Sequence, residues 1–180
     1  MPEIDIFANQ LLEEARRFFE KAVEVSDSSG KAAYLHAAVM LSFCALEAHV
    51  NAMGVEFATI NLPVHGKGVL LEKSVHLENG EFELGTKLQM ARLEDRIDFL
   101  HASVARKPIN RSSSSWRGQL SSAIKLRNRL THAREVPAIS EAEVQRALEA
   151  IIATLDALFH ALYARELPSA SRGLTSKLNF

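Results

Sequence analysis

Apolar residues recur at three- and four-residue steps along most of the chain, which is the spacing of one face of an α-helix. The first such stretch covers residues 4 to 25, and the second covers residues 31 to 58. Between them, SDSSG at residues 26 to 30 ends the first helix and supplies serine caps for the next. The apolar stripe of the first stretch consists of Ile4, Phe7, Leu11, Ala15, Phe18, Ala22 and Val25. The pattern therefore predicts two long amphipathic helices at the start of the chain.

The spacing changes to alternation between residues 75 and 84. Asn79-Gly80 lies between two alternating runs, which is a strong short signal for a two-residue β-hairpin turn. The apolar members of these runs are Val75, Leu77, Phe82 and Leu84. The pattern predicts a small hairpin inserted into a helical domain, after a loop at NLPVHGKG, residues 61 to 68.

The second half of the chain returns to helical spacing. Helices are predicted over residues 86 to 105, from Trp116 to Leu130 or His132, and from Ser140 onward. The last of these has an S-x-x-E capping box, formed by Ser140 and Glu143. The sequence thus predicts an all-α fold, an antiparallel bundle of about five helices over residues 1–167. Residues 168–180 are small and polar, and we expect them to be loose or draped on the surface.

The length of the chain and its cysteine content bear on the number of domains and on the cellular compartment. A chain of 180 residues fits one domain with a proper core. The single cysteine, Cys44, cannot form an internal disulfide, which fits a reducing cytoplasm. The N-terminus lacks the pattern of a signal peptide, and no uninterrupted apolar run reaches the ~20 residues that span a bilayer. We expect a cytoplasmic protein without a membrane partner.

The net charge is −1, but basic and acidic residues are unevenly distributed along the sequence. The window from Phe99 to Arg134 has eight basic residues and no Asp or Glu, leaving 13 basic and 22 acidic residues elsewhere. Four basic residues of this window are candidates for contact with phosphate or RNA: Arg117, Lys125, Arg129 and Arg134. A solvated basic face that meets an acidic protein or another subunit explains the same pattern.

Arg127 falls on the predicted apolar stripe of its helix. The stripe reads Trp116, Leu120, Ala123, Arg127 and Leu130. Since a buried guanidinium requires a partner, Arg127 either pairs with a carboxylate such as Glu47 or lines a cleft for an anionic substrate. On a continuous helix, His132 lies about 140° from Arg127. Either the helix ends near Leu130 and returns His132 to that side, or the cleft combines residues of two chains.

The segment RNRLTH, residues 127 to 132, resembles the Arg-x4-6-His motif of the HEPN superfamily. In that motif a polar residue such as Asn128 often follows the arginine. The segment FCALEAHVN, residues 43 to 51, also looks like a Glu- and Asn-bearing helix of several HEPN families. A second copy with the same spacing, Arg96 to His101, lacks the polar residue and does not precede a turn.

This resemblance implies a metal-independent endoribonuclease that dimerises and needs no cofactor. His132 would act as general acid or base, Arg127 would bind the scissile phosphate, and Asn128 would orient one of them. Glu47 and Asn51 either form a buried polar pair with a structural role or hold the catalytic residues in position. The sequence contains no recognised metal-binding motif.

Three functions remain open at this stage. The first is an RNA-cleaving protein, such as a toxin or phage-defence effector neutralised by an antitoxin. The second is a non-catalytic HEPN module that dimerises and binds RNA, a nucleotide or a protein through its basic cleft. The third is an unrelated helical bundle that binds an acidic protein.

Overall fold

The computed structural model describes residues 3–107, 109 and 114–180. The described residues form six α-helices and one two-stranded antiparallel hairpin. The helices are α1 (Glu3–Glu24), α2 (Ser28–Phe57), α3 (Val64–Leu71), α4 (Leu93–Phe99), α5 (Ser115–Thr131) and α6 (Glu141–Tyr163). The strands are β1 (Lys73–Glu78) and β2 (Glu81–Leu88). The predicted helical fold with a hairpin is confirmed, although there are six helices rather than about five.

Helix α3 lies where a loop was expected. Glycine weakens a helix, which is why Gly66 and Gly68 pointed to a loop. In the structure, a Cβ on Gly66 would lie 2.7 Å from Cζ of Phe99. This glycine therefore permits close packing of α3 against the end of α4, and tertiary contacts override the low helix propensity.

The hairpin is longer than predicted and displaces the start of the next helix. Asn79 and Gly80 both have positive φ angles, 51° and 87°, as a type I′ turn requires. Because β2 continues to Leu88, α4 begins at Leu93 instead of residue 86. The chain then continues from α4 as a π-helical turn, Leu100–Val104.

Helices α1, α2 and α6 surround the core. A connection of three residues joins α1 to α2, and the Asp27 side chain accepts a hydrogen bond from the Gly30 amide at its start. Both hydrogen bonds of the predicted capping box between Ser140 and Glu143 are present at the start of α6. The buried apolar side chains form one contiguous cluster to which every α-helix contributes at least a partly buried residue.

The buried face of α1 agrees with the predicted stripe at Leu11, Ala15 and Ala22 and differs from it elsewhere. Phe7 is 54% exposed, whereas Ala8, Leu12 and Phe19 are buried. Arg16 is also fully buried. Its guanidinium donates a 3.0 Å hydrogen bond to the Ser169 carbonyl and pairs with Glu13. Alanine and leucine also occur next to the predicted positions, so the sequence pattern fits two registers of α1 that differ by one residue.

The segment from residue 168 to 180 lies along α1. Arg172 pairs with the Glu13 carboxylate, and the Ser176 hydroxyl donates a 2.8 Å hydrogen bond to the Glu13 carbonyl. The Phe180 ring lies 5.6 Å, centroid to centroid, from that of Phe18. Of the two expected states, draped and loose, the structure has the draped one.

Helix α2 is the one described helix long and apolar enough, by composition alone, to cross a membrane. In the structure, 67% of its most apolar window is buried inside the protein. A core helix passes the same composition test, so this finding is weak evidence for a membrane span.

His49 on α2 makes folding stability depend on pH. The residue is 2% exposed, and burial lowers the pKa of its imidazole from 6.5 to about 4. Between these pH values the unfolded chain binds a proton on His49 that the folded chain excludes. This contribution to the free energy of unfolding is therefore fully present above pH 6.5 and is lost as the pH drops toward 4. We expect the free energy of unfolding to decrease by about 2 kcal/mol between about pH 7 and pH 5.

Urea unfolding of wild type, His49→Gln and His160→Gln at these two pH values checks this expectation. His160 is exposed and serves as the matched control. The pH-dependent loss should persist in His160→Gln and shrink in His49→Gln. The same loss in both variants would show that another group carries it.

Candidate functional site

The C-terminal end of α5 presents the predicted catalytic residues. Thr131 is the last helical residue, and His132 caps the helix with φ −118° and ψ 32°. The His132 amide donates a 3.0 Å hydrogen bond to the Asn128 carbonyl, which fixes its backbone to the last turn. The side chains of Asn128 and His132 are both exposed. In the described residues, no hydrogen bond or ion pair joins the His132 side chain to Arg127 or Asn128.

Arg127 lies at the edge of the buried face of α5. The core positions are Leu120, Ala123 and Leu126, and Leu126 is only 5% exposed. The Arg127 side chain is 27% exposed. The predicted stripe is therefore correct at Leu120 and Ala123 but not at Arg127, because Leu126 takes the inward position.

Two residues of α2 hold the Arg127 guanidinium. Its Nη1 atom is 3.8 Å from Oε1 of Glu47, and its Cζ atom is 5.2 Å from the Phe43 ring centroid. The Glu47 side chain is 47% exposed, so this is a long ion pair at the surface. Across the described chain, Arg127 Nε is buried and lacks a hydrogen-bond partner. Phe43 and the long contact with Glu47 thus position the guanidinium at the edge of the core.

Asn51 contacts a different arginine. Its Oδ1 atom accepts a 2.7 Å hydrogen bond from Nη2 of Arg96, and that same nitrogen donates a 3.0 Å bond to the Leu70 carbonyl. Arg96 Nη1 also lies 3.3 Å from the Glu72 carboxylate. Since Arg96 is 3% exposed, it links α2, α3 and α4 in the interior. The arginine of the second Arg-x4-His copy therefore has a structural position, and Asn51 supports it.

The basic window is partly neutralised by acids from outside it. Arg117 is buried and forms ion pairs with Glu94 at 2.5 Å and Asp98 at 3.0 Å. Arg129 is half-exposed and pairs with Glu143 at 2.6 Å. The guanidinium of Arg117 is thus engaged by carboxylates of α4 rather than open to solvent.

Lys125 and Arg134 are exposed cations of the window, as are Arg106 and Lys107. Within the described ranges, neither Lys125 nor Arg134 forms an ion pair. Arg111, another member of the window, lies outside the described residues. Lys125 and Arg129 line a groove of about 470 Å³ between α5 and α6, together with Arg146. Arg146 lies in a stretch of mixed charge, so no sequence signal singled it out.

The hairpin carries a cluster of three possible metal ligands. The ligand atoms of His76, Glu78 and Glu83 lie within 4.8 Å of one another. His76 and Glu83 are cross-strand partners, so the strand register accounts for their proximity. All three side chains are exposed. The cluster alone does not indicate a bound ion.

Comparisons with protein-family models, characterised proteins and solved structures give no match for this chain. The functional assignment therefore depends on the residues at the end of α5 and on their resemblance to the HEPN motif.

Proposed function

We propose that this protein is a metal-independent endoribonuclease of the HEPN type. The observation that supports the proposal is the position of Arg127, held by Phe43 and Glu47 at the edge of the core. Exposed Asn128 and His132 lie within the next five residues at the helix end. A positioned guanidinium and an accessible imidazole five residues later would provide the two groups that RNA cleavage requires, one for phosphate binding and one for proton transfer.

The proposed reaction is attack of a ribose 2′-oxygen on the adjacent phosphorus. A general base removes the 2′-hydroxyl proton, the bond between phosphorus and the 5′-oxygen breaks, and a general acid protonates that oxygen. His132 would perform one of these transfers, since imidazole exchanges protons near neutral pH. Arg127 would stabilise the negative charge that develops on the phosphate oxygens. The products are a 2′,3′-cyclic phosphate and a 5′-hydroxyl.

The partners proposed with this activity are RNA and a second copy of the chain. A homodimer would bring two α5 ends to one cleft and supply a second His132, so that one imidazole acts as base and the other as acid. Lys125, Arg129 and Arg134 would contact the RNA backbone. A toxin or phage-defence effector in the cytoplasm, restrained by an antitoxin, is the proposed biological setting.

A non-catalytic binding module is the second candidate. The Arg127–Glu47 ion pair favours this candidate, because Glu47 already pairs with the positive charge that a phosphate would otherwise bind. Such a module would retain the basic surface and bind RNA or another anion without turnover.

Incubation of purified protein with structured and unstructured RNAs in excess EDTA separates the two candidates. We expect cleavage with cyclic-phosphate and 5′-hydroxyl ends, because no metal takes part in the proposed steps. Cleavage that requires Mg²⁺, or that leaves 5′-phosphate ends, contradicts the proposed chemistry. Salt-sensitive RNA binding without cleavage supports the binding module instead.

A further inference from the structure

A large cavity lies between α1, α2, α6 and the C-terminal segment. Its volume is about 930 Å³, which is in the range of small-molecule binding sites. His49 lines this cavity and follows Glu47 by two residues on α2. Two residues correspond to about 200° around a helix, so the cavity and the Arg127 site lie on different sides of α2.

One wall of the cavity is aromatic and already holds a cation. The rings of Phe159 and Tyr163 lie 5.3 Å apart, centroid to centroid. The Arg165 guanidinium carbon lies 5.7 Å from the first ring centroid and 5.5 Å from the second. Aromatic faces attract cations through the negative charge of their π-systems. The exposed Arg165 guanidinium thus lies within cation–π distance of both rings.

Three carboxylates line the same cavity, and one of them, Glu13, is paired with Arg172. The Tyr163 hydroxyl donates a 2.7 Å hydrogen bond to Oε2 of Glu56, which fixes this carboxylate beside the aromatic wall. Burial and the nearby charge of Glu56 raise the pKa of the Asp5 carboxyl. In the part of the chain that the structure describes, neither Asp5 nor Glu56 forms an ion pair. Asp5 and Glu56 are therefore left without a direct ion pair, although the cations Arg165 and Lys177 also line the cavity.

Two buried polar atoms belong to residues that line the cavity. His49 is 2% exposed and Ser169 is 7% exposed. Neither Nε2 of His49 nor Oγ of Ser169 has a hydrogen-bond partner among the described residues. Buried polar atoms in folded proteins nearly always have partners. Two unpartnered atoms in residues that line one cavity are therefore candidates for hydrogen bonds from a bound molecule.

We propose that this cavity binds a small organic cation that also carries a hydroxyl or a similar hydrogen-bonding group. The cationic group would lie against Phe159 and Tyr163 beside Glu56, in the place that Arg165 occupies. The polar group would reach toward His49 and Ser169. This site is separate from the proposed nuclease site and does not depend on RNA cleavage.

Choline and 3,3-dimethylbutan-1-ol are suitable probes, because they share shape and hydroxyl group and differ in the positive charge. NMR titration of the full chain would follow the His49 ring and the amides of Phe159 and Tyr163. We expect choline to shift these signals saturably, and the neutral alcohol to bind about tenfold more weakly. Equal affinity for the two probes, or no saturable shift with choline, would overturn the proposal.

Two exposed residues provide matched variants. Glu56→Gln keeps the side-chain shape and removes the charge, so choline binding should weaken about fivefold. Arg165→Ala removes the competing cation, so choline should bind as tightly as to wild type or more tightly. Weaker choline binding by Arg165→Ala would contradict the proposed position of the cation. Circular dichroism of both variants would verify that the fold is unchanged.

Discussion

Replacing His132 by alanine is expected to reduce the rate of RNA cleavage by about 100-fold or more. The proposed mechanism assigns the imidazole a proton transfer, and alanine cannot supply it. His132 is exposed and caps α5 through its backbone amide, which alanine retains. The substitution should therefore leave the free energy of unfolding almost unchanged. Single-turnover cleavage in EDTA, together with urea unfolding, measures both effects.

His101→Ala is the matched control for this experiment. His101 follows Arg96 with the same spacing that His132 has from Arg127. Its ring contacts the Lys107 carbonyl and lies 6.0 Å from the Trp116 ring, so its role is structural packing. We expect this variant to cleave RNA at the wild-type rate. Equal activity of His132→Ala and wild type would remove His132 from the mechanism.

Replacing Arg96 by alanine is expected to lower the free energy of unfolding by about 3 kcal/mol or more. The substitution removes a buried guanidinium and leaves the Asn51 amide oxygen, the Leu70 carbonyl and the Glu72 carboxylate without their partner. A buried polar group that loses its partner is destabilising by more than the net stabilisation that the pair provided. Urea-unfolding curves at neutral pH measure the change.

Arg92→Ala supplies the comparison at the start of the same helix. Arg92 precedes α4, its side chain is 77% exposed, and it contacts only Glu94 among the described acids. We expect its substitution to change stability by less than about 0.5 kcal/mol. Similar effects of the two substitutions would mean that the contacts of Arg96 are not needed to hold α2, α3 and α4 together.

Local signals in the sequence predicted several elements correctly. Asn79-Gly80 specified the turn of the hairpin because both residues tolerate positive φ. Ser140 and Glu143 specified the start of α6 through hydrogen bonds within one turn. Each of these features depends on residues that are close in sequence. Local sequence rules did not predict helix α3. Gly66 packs closely against Phe99, which lies 33 positions later in the chain.

The candidate site was only partly predictable for a related reason. Adjacent residues on a helix are about 100° apart, so Leu126 and Arg127 both fit a stripe with steps of three and four. The choice between them depends on which helices pack against α5. The contact between Glu47 and Arg127 was one of the anticipated alternatives, whereas the bond between Asn51 and Arg96 spans 45 residues. No periodic pattern reports a hydrogen bond at that separation.

The contact between Arg172 and Glu13 has a consequence for synthesis on the ribosome. These residues are 159 positions apart in the chain. At a rate of about 5 to 20 residues per second, Glu13 is added to the chain roughly 8 to 30 seconds before Arg172. Helices α1 and α2 can associate early, but buried Arg16 must wait for the Ser169 carbonyl. The nascent chain therefore completes the packing of its first helix among its last steps.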